Sequence, residues 1–311
     1  MEFFHKTTRF PFMATRKWWY VVSAVVILAS MVALGVRGLN FGIDFTGGVV
    51  LELSFPPAAE LDKVRGALGT AGFGDASVQS FGTASDVLVR LLPEEGGEVA
   101  QVADRAVQAI RTYEPGVELR RTEVVGPQVG QELAEKGALA VLFTFLLIMA
   151  YVAFRFQWKL GVGAILAAMH DPFVILGIFA VTGLTFDLPA LAAILAVIGY
   201  SLNDTVVVFD RLRERFLSMR KGTSEQVIDA AINETLSRTL MTSGTTMITV
   251  LALLFFGGEI LRSFATALAI GIVVGTYSSI YVASAIALDL KLSARDLMPV
   301  QREKDAVDDM P

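Results

Sequence analysis

The stretch Tyr200-Ser201-Leu202-Asn203-Asp204-Thr205-Val206-Val207-Val208-Phe209-Asp210-Arg211 closes one of the longest apolar runs of the chain and carries a carboxyl group, Asp204, within it. Asp210 and Arg211 mark the polar end of the run, which puts Asp204 about 9 Å inside it at 1.5 Å per helical residue. An ionised aspartate at mid-bilayer costs roughly 2.5–3.5 kcal/mol. Holding a carboxyl at its protonation point near neutral pH costs about 4 kcal/mol, at 1.36 kcal/mol per pKa unit. The two magnitudes are similar, so Asp204 reads as a group that takes and releases a proton. The competing reading is a carboxylate permanently paired with a base, which locks helices together.

Arg238 stands at the start of the next apolar run and is the candidate partner of Asp204; it reads equally as an interfacial anchor. Thr242, Thr245, Thr246 and Thr249 follow it at helical spacing, a hydroxyl stripe that either lines a water path or bonds helix to helix. His170 and Asp171 lie mid-run before Pro172, which lacks an N–H and frees a carbonyl one turn earlier. The pair reads as a relay element, since histidine titrates near neutrality, or as a brace for a kink. Asp204, Arg238, His170, Asp171, Asn203 and Thr242 form the candidate proton relay.

A second constellation, "NFGIDFTGG" over residues 40–48, follows the first apolar run. Gly42, Gly47 and Gly48 suit positive φ or close backbone approach, and Asp44 and Thr46 can cap the turn. By itself this is a connector between membrane and strand. "GIVVG" (271–275) permits close helix contact. Other chemistries are disfavoured. No G-x-x-x-x-G-K-[ST] phosphate loop occurs. There are no cysteines, and the two histidines, His5 and His170, lie in different regions, so no metal site or other cofactor is expected. No covalent catalysis is expected either.

The elements that must position these groups follow from composition. Of 311 residues, 54% are hydrophobic and 18% charged, against about a quarter charged in soluble domains. Six runs, near 18–36, 138–154, 160–182, 188–209, 239–257 and 263–288, are long enough to cross about 30 Å of hydrocarbon. The first has no small-residue cleavage site and is followed by Arg37, so it reads as a span rather than a signal. Basic residues sort the loops. Lys6, Arg9, Arg16 and Lys17 lie in the N-terminal tail 1–17, Arg155 and Lys159 in 155–159, and Arg211, Arg213, Arg215, Arg220, Lys221 and Arg238 in the loop 210–238. Residues 183–187 carry none and 257–262 only Arg262. Both termini, including the tail 289–311, are therefore expected in the cytoplasm, and 37–137 outside.

The outer segment is acidic: residues 38–136 hold 8 basic and 15 acidic side chains, which argues against nucleic acid. Its pattern reads strand (49–55), helix (58–72), two strands (76–81 and 86–92), helix (98–113) and strand (117–125). The second helix carries Val99, Val102, Ala103, Ala106, Val107 and Ile110 on one face. That β-α-β-β-α-β order is the ferredoxin-like α+β sandwich. The expected fold is thus an all-α membrane bundle of spans 18–36 and 138–288, with an exported α+β domain at 37–137.

"FGIDFTGG" after the first span, "GPQVGQEL" before the second, "HDP" in the third, "YSLNDTVVVFDRLRE" in the fourth and "TLSRTLMTSGTTM" opening the fifth together resemble the SecD/SecF family of bacterial protein-export membrane proteins, within the RND permease superfamily. The match covers nearly the whole chain. One exported region of about a hundred residues is similar to SecF, since SecD carries a far larger one. The resemblance implies half of a twelve-span permease, with SecD as the other half and SecYEG, SecA and YajC as the wider complex in the inner membrane. It implies that the proton-motive force helps draw a translocating polypeptide across the membrane. Asp204 and Arg238 would then be the proton-pathway pair, and Asp44 would lie where motion passes to the exported domain, which grips the chain. The acidic tail from Gln301 matches no motif. Half of an RND-type exporter of small molecules, lipids or metal ions, and a passive scaffold of the translocation channel, are the alternatives. Exporters of that kind carry larger exported domains with Met or Cys clusters, and 38–136 has neither residue.

Overall fold

Among the residues that the computed structural model describes (8–56, 58–81, 83–92, 99–219 and 222–297), six helices are long and apolar enough to cross a bilayer. The first is α1 (Arg16–Val36). A two-residue strand β1 (Asn40–Phe41) and one helical turn α2 (Ile43–Thr46) lead from it into an α/β domain. That domain runs β2 (Gly48–Ser54), α3 (Leu61–Thr70), β3 (Ser77–Phe81), β4 (Thr83–Leu91), α4 (Val99–Tyr113) and β5 (Glu118–Val125). The bundle resumes with α5 (Pro127–Arg155), α6 (Trp158–Thr182), the short β6 (Thr185–Phe186), α7 (Leu188–Ser218) and α8 (Ser224–Phe256). The sixth span, α9 (Arg262–Ser278), passes through a π turn (Ser279–Ala283) into α10 (Ser284–Asp289), and α11 (Ala294–Leu297) follows. The outer end of the bundle here means the end that carries the α/β domain. His5, Lys6, Arg220, Lys221, the first residue of the expected 98–113 helix, the side chain of Val99, and the acidic tail from Gln301 lie outside the described residues.

The α/β domain has the expected element order, and its sheet runs β3-β4-β2-β5 with every neighbour antiparallel. Alternation along β2 turns Val49, Leu51 and Leu53 towards Val64 and Leu68 of α3 and Val102, Ala106 and Ile110 of α4. The opposite face, with Val50 and Glu52, looks at the outer end of the bundle across a cavity.

In the bundle α6, α7 and α9 lie inside, and α1, α5 and α8 expose most of their apolar surface. Small residues set the spacing. A Cβ on Gly271 would overlap Val197, and one on Gly177 would overlap Ser30, so α9 rests directly on α7 and α1 on α6. The ends follow local rules. Pro127 opens α5, left-handed Gly183 closes α6, and Thr223 with Gln226 forms a capping box on α8.

Two differences from the sequence reading concern helix ends. Residues 210–218 and 224–238, expected as parts of a loop, are helical and continue α7 and open α8. Charge ended the apolar runs but not the helical periodicity: Leu212 and Phe216 pack on Val227, Ile228, Ala231 and Ile232. Glu234 is gripped by Arg211 at 2.5 Å and by Arg215. Helix α5 starts 11 residues before the expected 138, because Gly130 and Gly137 let its polar first turns lie against Phe45, Gly47 and Leu191.

Candidate functional site

Asp204 occupies the middle of α7, 16 residues from Leu188, or about 24 Å along the axis. It is 4% exposed, and its Oδ2 has no hydrogen-bond partner among the described residues. An unsatisfied buried carboxyl oxygen carries a desolvation cost of about 1–3 kcal/mol or more. Such a group is retained at the expense of stability.

The ion pair with Arg238 expected from the sequence is not closed in this structure. Arg238 is the charged neighbour whose field reaches Asp204, but no ion pair within 4.0 Å joins them. The reason is the rotation of the helices: Asp204 faces the packed interior, whereas Arg238 lies on the exposed side of α8. Asn203, next along α7, is likewise exposed and turned away from Asp204's face. The hydroxyls of the stripe bond back to carbonyls of their own helix. Thr242 Oγ1 donates to the Arg238 and Thr239 carbonyls at 3.1 and 3.0 Å, Thr245 to Met241 at 2.8 Å, Thr246 to Thr242 at 2.8 Å and Thr249 to Thr245 at 3.3 Å. The buried hydroxyl of Thr239, on the same helix, has no hydrogen-bond partner among the described residues.

His170 and Asp171 do form a pair, with Nδ1 3.0 Å from Oδ1. Asp171 is fully buried, and its Oδ2 accepts from Ser201 Oγ at 2.5 Å and Ser278 Oγ at 3.0 Å. One carboxyl thereby joins α6, α7 and α9. Ser201 sits one helical turn outward of Asp204, so the clamp fixes the turn next to it. The π turn beginning at Ser279 follows Ser278 directly, an irregularity often retained at functional sites. A second polar string crosses nearby: Tyr200 donates to Ser243 at 3.2 Å, and Ser243 lies 2.7 Å from Thr276.

The connector is built around the outer end of α7. Strand β1 pairs with β6 in parallel, Asn40 opposite Thr185 and Phe41 opposite Phe186. Gly42 donates its N–H to Phe186 at 2.8 Å. Gly47 has φ 71°, and a Cβ there would come within 2.7 Å of Pro127; Gly48 has φ 125°, with Leu91 O where a Cβ would stand. Asp44 Oδ2 accepts the backbone N–H of Leu188 at 2.9 Å. Asp187, the N-cap of α7, accepts from Ala190 N at 2.9 Å and from Ser263 Oγ at 2.6 and 2.7 Å. Burial pushes the Asp187 carboxyl above its usual value, opposed by these donors and reinforced by Asp44.

Sequence reasoning singled out Asp44, Gly42, Gly47 and Gly48, and the structure brings them together. It missed Asp187, Ser263, Arg90, Ser201 and Ser278. Asp187 was findable, since Asp before Leu-Pro-Ala is an N-cap signal. The serines have no such signal, because their acceptors lie 30 residues or more away in sequence.

Comparison with known proteins places this arrangement. The family profile described as "Protein export membrane protein SecD/SecF, C-terminal" matches residues 106–293, and that of the "SecD/SecF GG Motif" matches residues 32–58. The protein translocase subunit SecF of Vibrio alginolyticus is 50% identical over 304 residues, covering 96% of each chain. That of Escherichia coli O157:H7 is 41% identical over 306 residues, 98% of this chain and 95% of that one. The crystal structure of SecDF from Thermus thermophilus superposes with a TM-score of 0.81 at 38% identity over 91% of this chain. This chain spans 39% of the length of that SecDF chain.

Proposed function

The chain belongs to the SecF family of protein translocase subunits, and from that premise we propose that it couples the proton-motive force to polypeptide export, with no covalent chemistry. It is a multi-pass membrane protein and an accessory subunit of the Sec translocase, with SecD as its partner. The finer reading places it in the bacterial inner membrane with both termini cytoplasmic and residues 37–137 periplasmic. SecD completes an RND-type permease, and SecYEG, SecA and YajC form the surrounding complex. The β3-β4-β2-β5 order supports a ferredoxin-like domain.

One observation carries the proton reading: a carboxyl with a buried oxygen that has no hydrogen-bond partner among the described residues sits midway along a membrane helix whose outer end is capped from the connector of the α/β domain. Protonation removes the reason for Asp204 to attract Arg238, so the pair closes in one state and opens in the other. One proton moved through ~150 mV yields about 3.5 kcal/mol at 2.3 kcal/mol per 100 mV. That shifts a two-state balance by a factor of a few hundred. Exposed polar groups on the bundle's outer faces, Asn203, Arg238 and Thr245 among them, are poorly suited to lipid and support coverage by the SecD half. His170 and Asp171 serve in this reading as the clamp beside the relay.

Asp204→Asn retains shape and removes titration. In inverted vesicles that contain the complete SecD-containing translocase, the gradient-stimulated fraction of export is expected to fall at least tenfold in this variant. Stimulation at the parent level would overturn the proton reading and leave the passive scaffold.

A further inference from the structure

Between the α/β domain and the bundle lies a cavity of about 540 Å³, walled by Val50, Leu88 and Arg90 of the sheet and by Thr182, Leu188 and Ser263 at the helix ends. Arg90 projects from β4 into this gap. Its Nη1 donates to Asn40 Oδ1 at 3.2 Å, and Asn40 Nδ2 in turn donates to Gly183 O, the left-handed cap of α6, at 3.0 Å. Its buried Nε has no hydrogen-bond partner among the described residues. Burial pulls the Arg90 pKa down, and the negative fields that oppose this come from Asp44 and Asp187. The other acids on the cavity, Glu52 and Glu123, are engaged by Arg121 at 3.8 and 2.5 Å.

Asp44, Asp187 and Arg90 line this one cavity, so the two acids have a cation opposite them on the sheet, besides Arg262 at the start of α9. Both cap the first turn of α7, where the helix dipole favours anions. Each raises the cost of charge on the other, as the effect of Asp44 on Asp187 records. A guanidinium facing both relieves that repulsion, and it belongs to a rigid sheet rather than to the connector. Two covalent links also join the domain to the bundle: β1 with the single turn of α2, between Gly42 and the positive-φ pair Gly47 and Gly48, and Gly126 between β5 and α5.

We propose that Arg90 is the positioning residue through which the α/β domain follows the outer end of the helix that carries Asp204, by facing Asp44 and Asp187 across this cavity. The proposal rests on the proton reading above and names the joint by which that reading reaches the exported side.

The chain has no cysteine, so spin labels can be placed at Gln108→Cys on α4 and Val36→Cys at the outer end of α1, both exposed. In the complete complex, reconstituted in lipid, the label distance distribution is expected to at least double in width in Arg90→Gln and to return towards the parent in Arg90→Lys. Gradient-stimulated export should fall by half or more in Arg90→Gln. Asp187→Asn, which keeps an N-cap but loses the charge, should broaden the distribution too and covers the case in which Arg90→Gln does not assemble. An unchanged distribution in assembled Arg90→Gln or in Asp187→Asn overturns the inference. Asp204→Asn, measured in parallel, separates the two failures. If it spares export, the proton reading fails; if it stops stimulated export while Arg90→Gln does not, only the joint fails.

Discussion

The carboxylate of Asp44 accepts the backbone N–H of Leu188 at 2.9 Å although 144 residues separate the two. The first turn after the connector glycine thus caps the helix on which Asp204 lies. A side-chain cap of this kind is worth about 0.5–2 kcal/mol, and asparagine substitutes for aspartate at little cost. Asp44→Ala should lower stability by about 1 kcal/mol and reduce gradient-stimulated export. Asp44→Asn should keep most of the stability, because it retains the cap, but should lower stimulated export part of the way, because it removes one of the two charges that Arg90 faces. Thermal unfolding of the purified complex, paired with vesicle export, checks the order Asp44, Asn, Ala.

Asp204 should weigh against stability while supporting export. Its Oδ2 is buried with no hydrogen-bond partner among the described residues, a state that costs about 1–3 kcal/mol. Asp204→Leu fills similar space and removes the polar atoms, so unfolding in detergent should require more denaturant or heat than in the parent. Export stimulated by the gradient should disappear in the same variant. A destabilised Asp204→Leu would mean that the carboxyl is held by a structural partner.

Patterns with a period were legible in the sequence. The alternation in residues 49–55 and the face Val102-Ala103-Ala106-Val107-Ile110 give the α/β domain its element order, and the apolar runs give the six spans. The helical segments at 210–218 and 224–238 were not legible as helix, because hydropathy records charge and is silent on amphipathic periodicity in a basic segment. The site divides in the same way. Asp204, Asp171 and Asp44 announce themselves because an acid in or beside an apolar run demands a reason. Their partners do not, since a serine such as Ser278 or an arginine on a strand such as Arg90 is ordinary by itself. Contact between helices also depends on rotation about their axes, and no local pattern encodes that, which is why Arg238 and Asn203 face outward rather than towards Asp204.

The joint at Asp187 should carry a pH signature. Burial and the neighbouring Asp44 raise its carboxyl above the ordinary value of 3.8. A native state that holds this proton more tightly than the unfolded chain has its full contribution below that value and loses it as pH rises through the raised one. Asp187→Asn retains capping and does not titrate. The melting temperature of the variant minus that of the parent should therefore grow as pH is raised from about 3.8. Calorimetry or nano-scale fluorimetry in detergent from pH 4 to 8 reads the difference directly; a flat difference, or one that shrinks with pH, contradicts the raised value.

Asp171 separates two roles that the sequence left open, relay and clamp. Its Oδ2 takes hydrogen bonds from Ser201 and Ser278, and its Oδ1 faces His170. Asp171→Ala leaves the Ser201 hydroxyl unpaired in the interior at about 1–3 kcal/mol, whereas Ser278 keeps the Gly275 carbonyl as acceptor at 3.2 Å; assembled protein should be scarcer and should melt earlier. Ser201→Ala removes only one donor and should cost about 1.5–3 kcal/mol, the range for a hydrogen bond to a charged group. Asp171→Asn keeps an acceptor oxygen for the serines and abolishes titration. A clamp predicts that export per assembled molecule stays near the parent level in Asp171→Asn. A relay predicts that it collapses as in Asp204→Asn. Because three helices meet at this one carboxyl, the clamp outcome would also explain why an acid persists there: it holds Ser201, and with it the turn of α7 beside Asp204, in one register against α6 and α9.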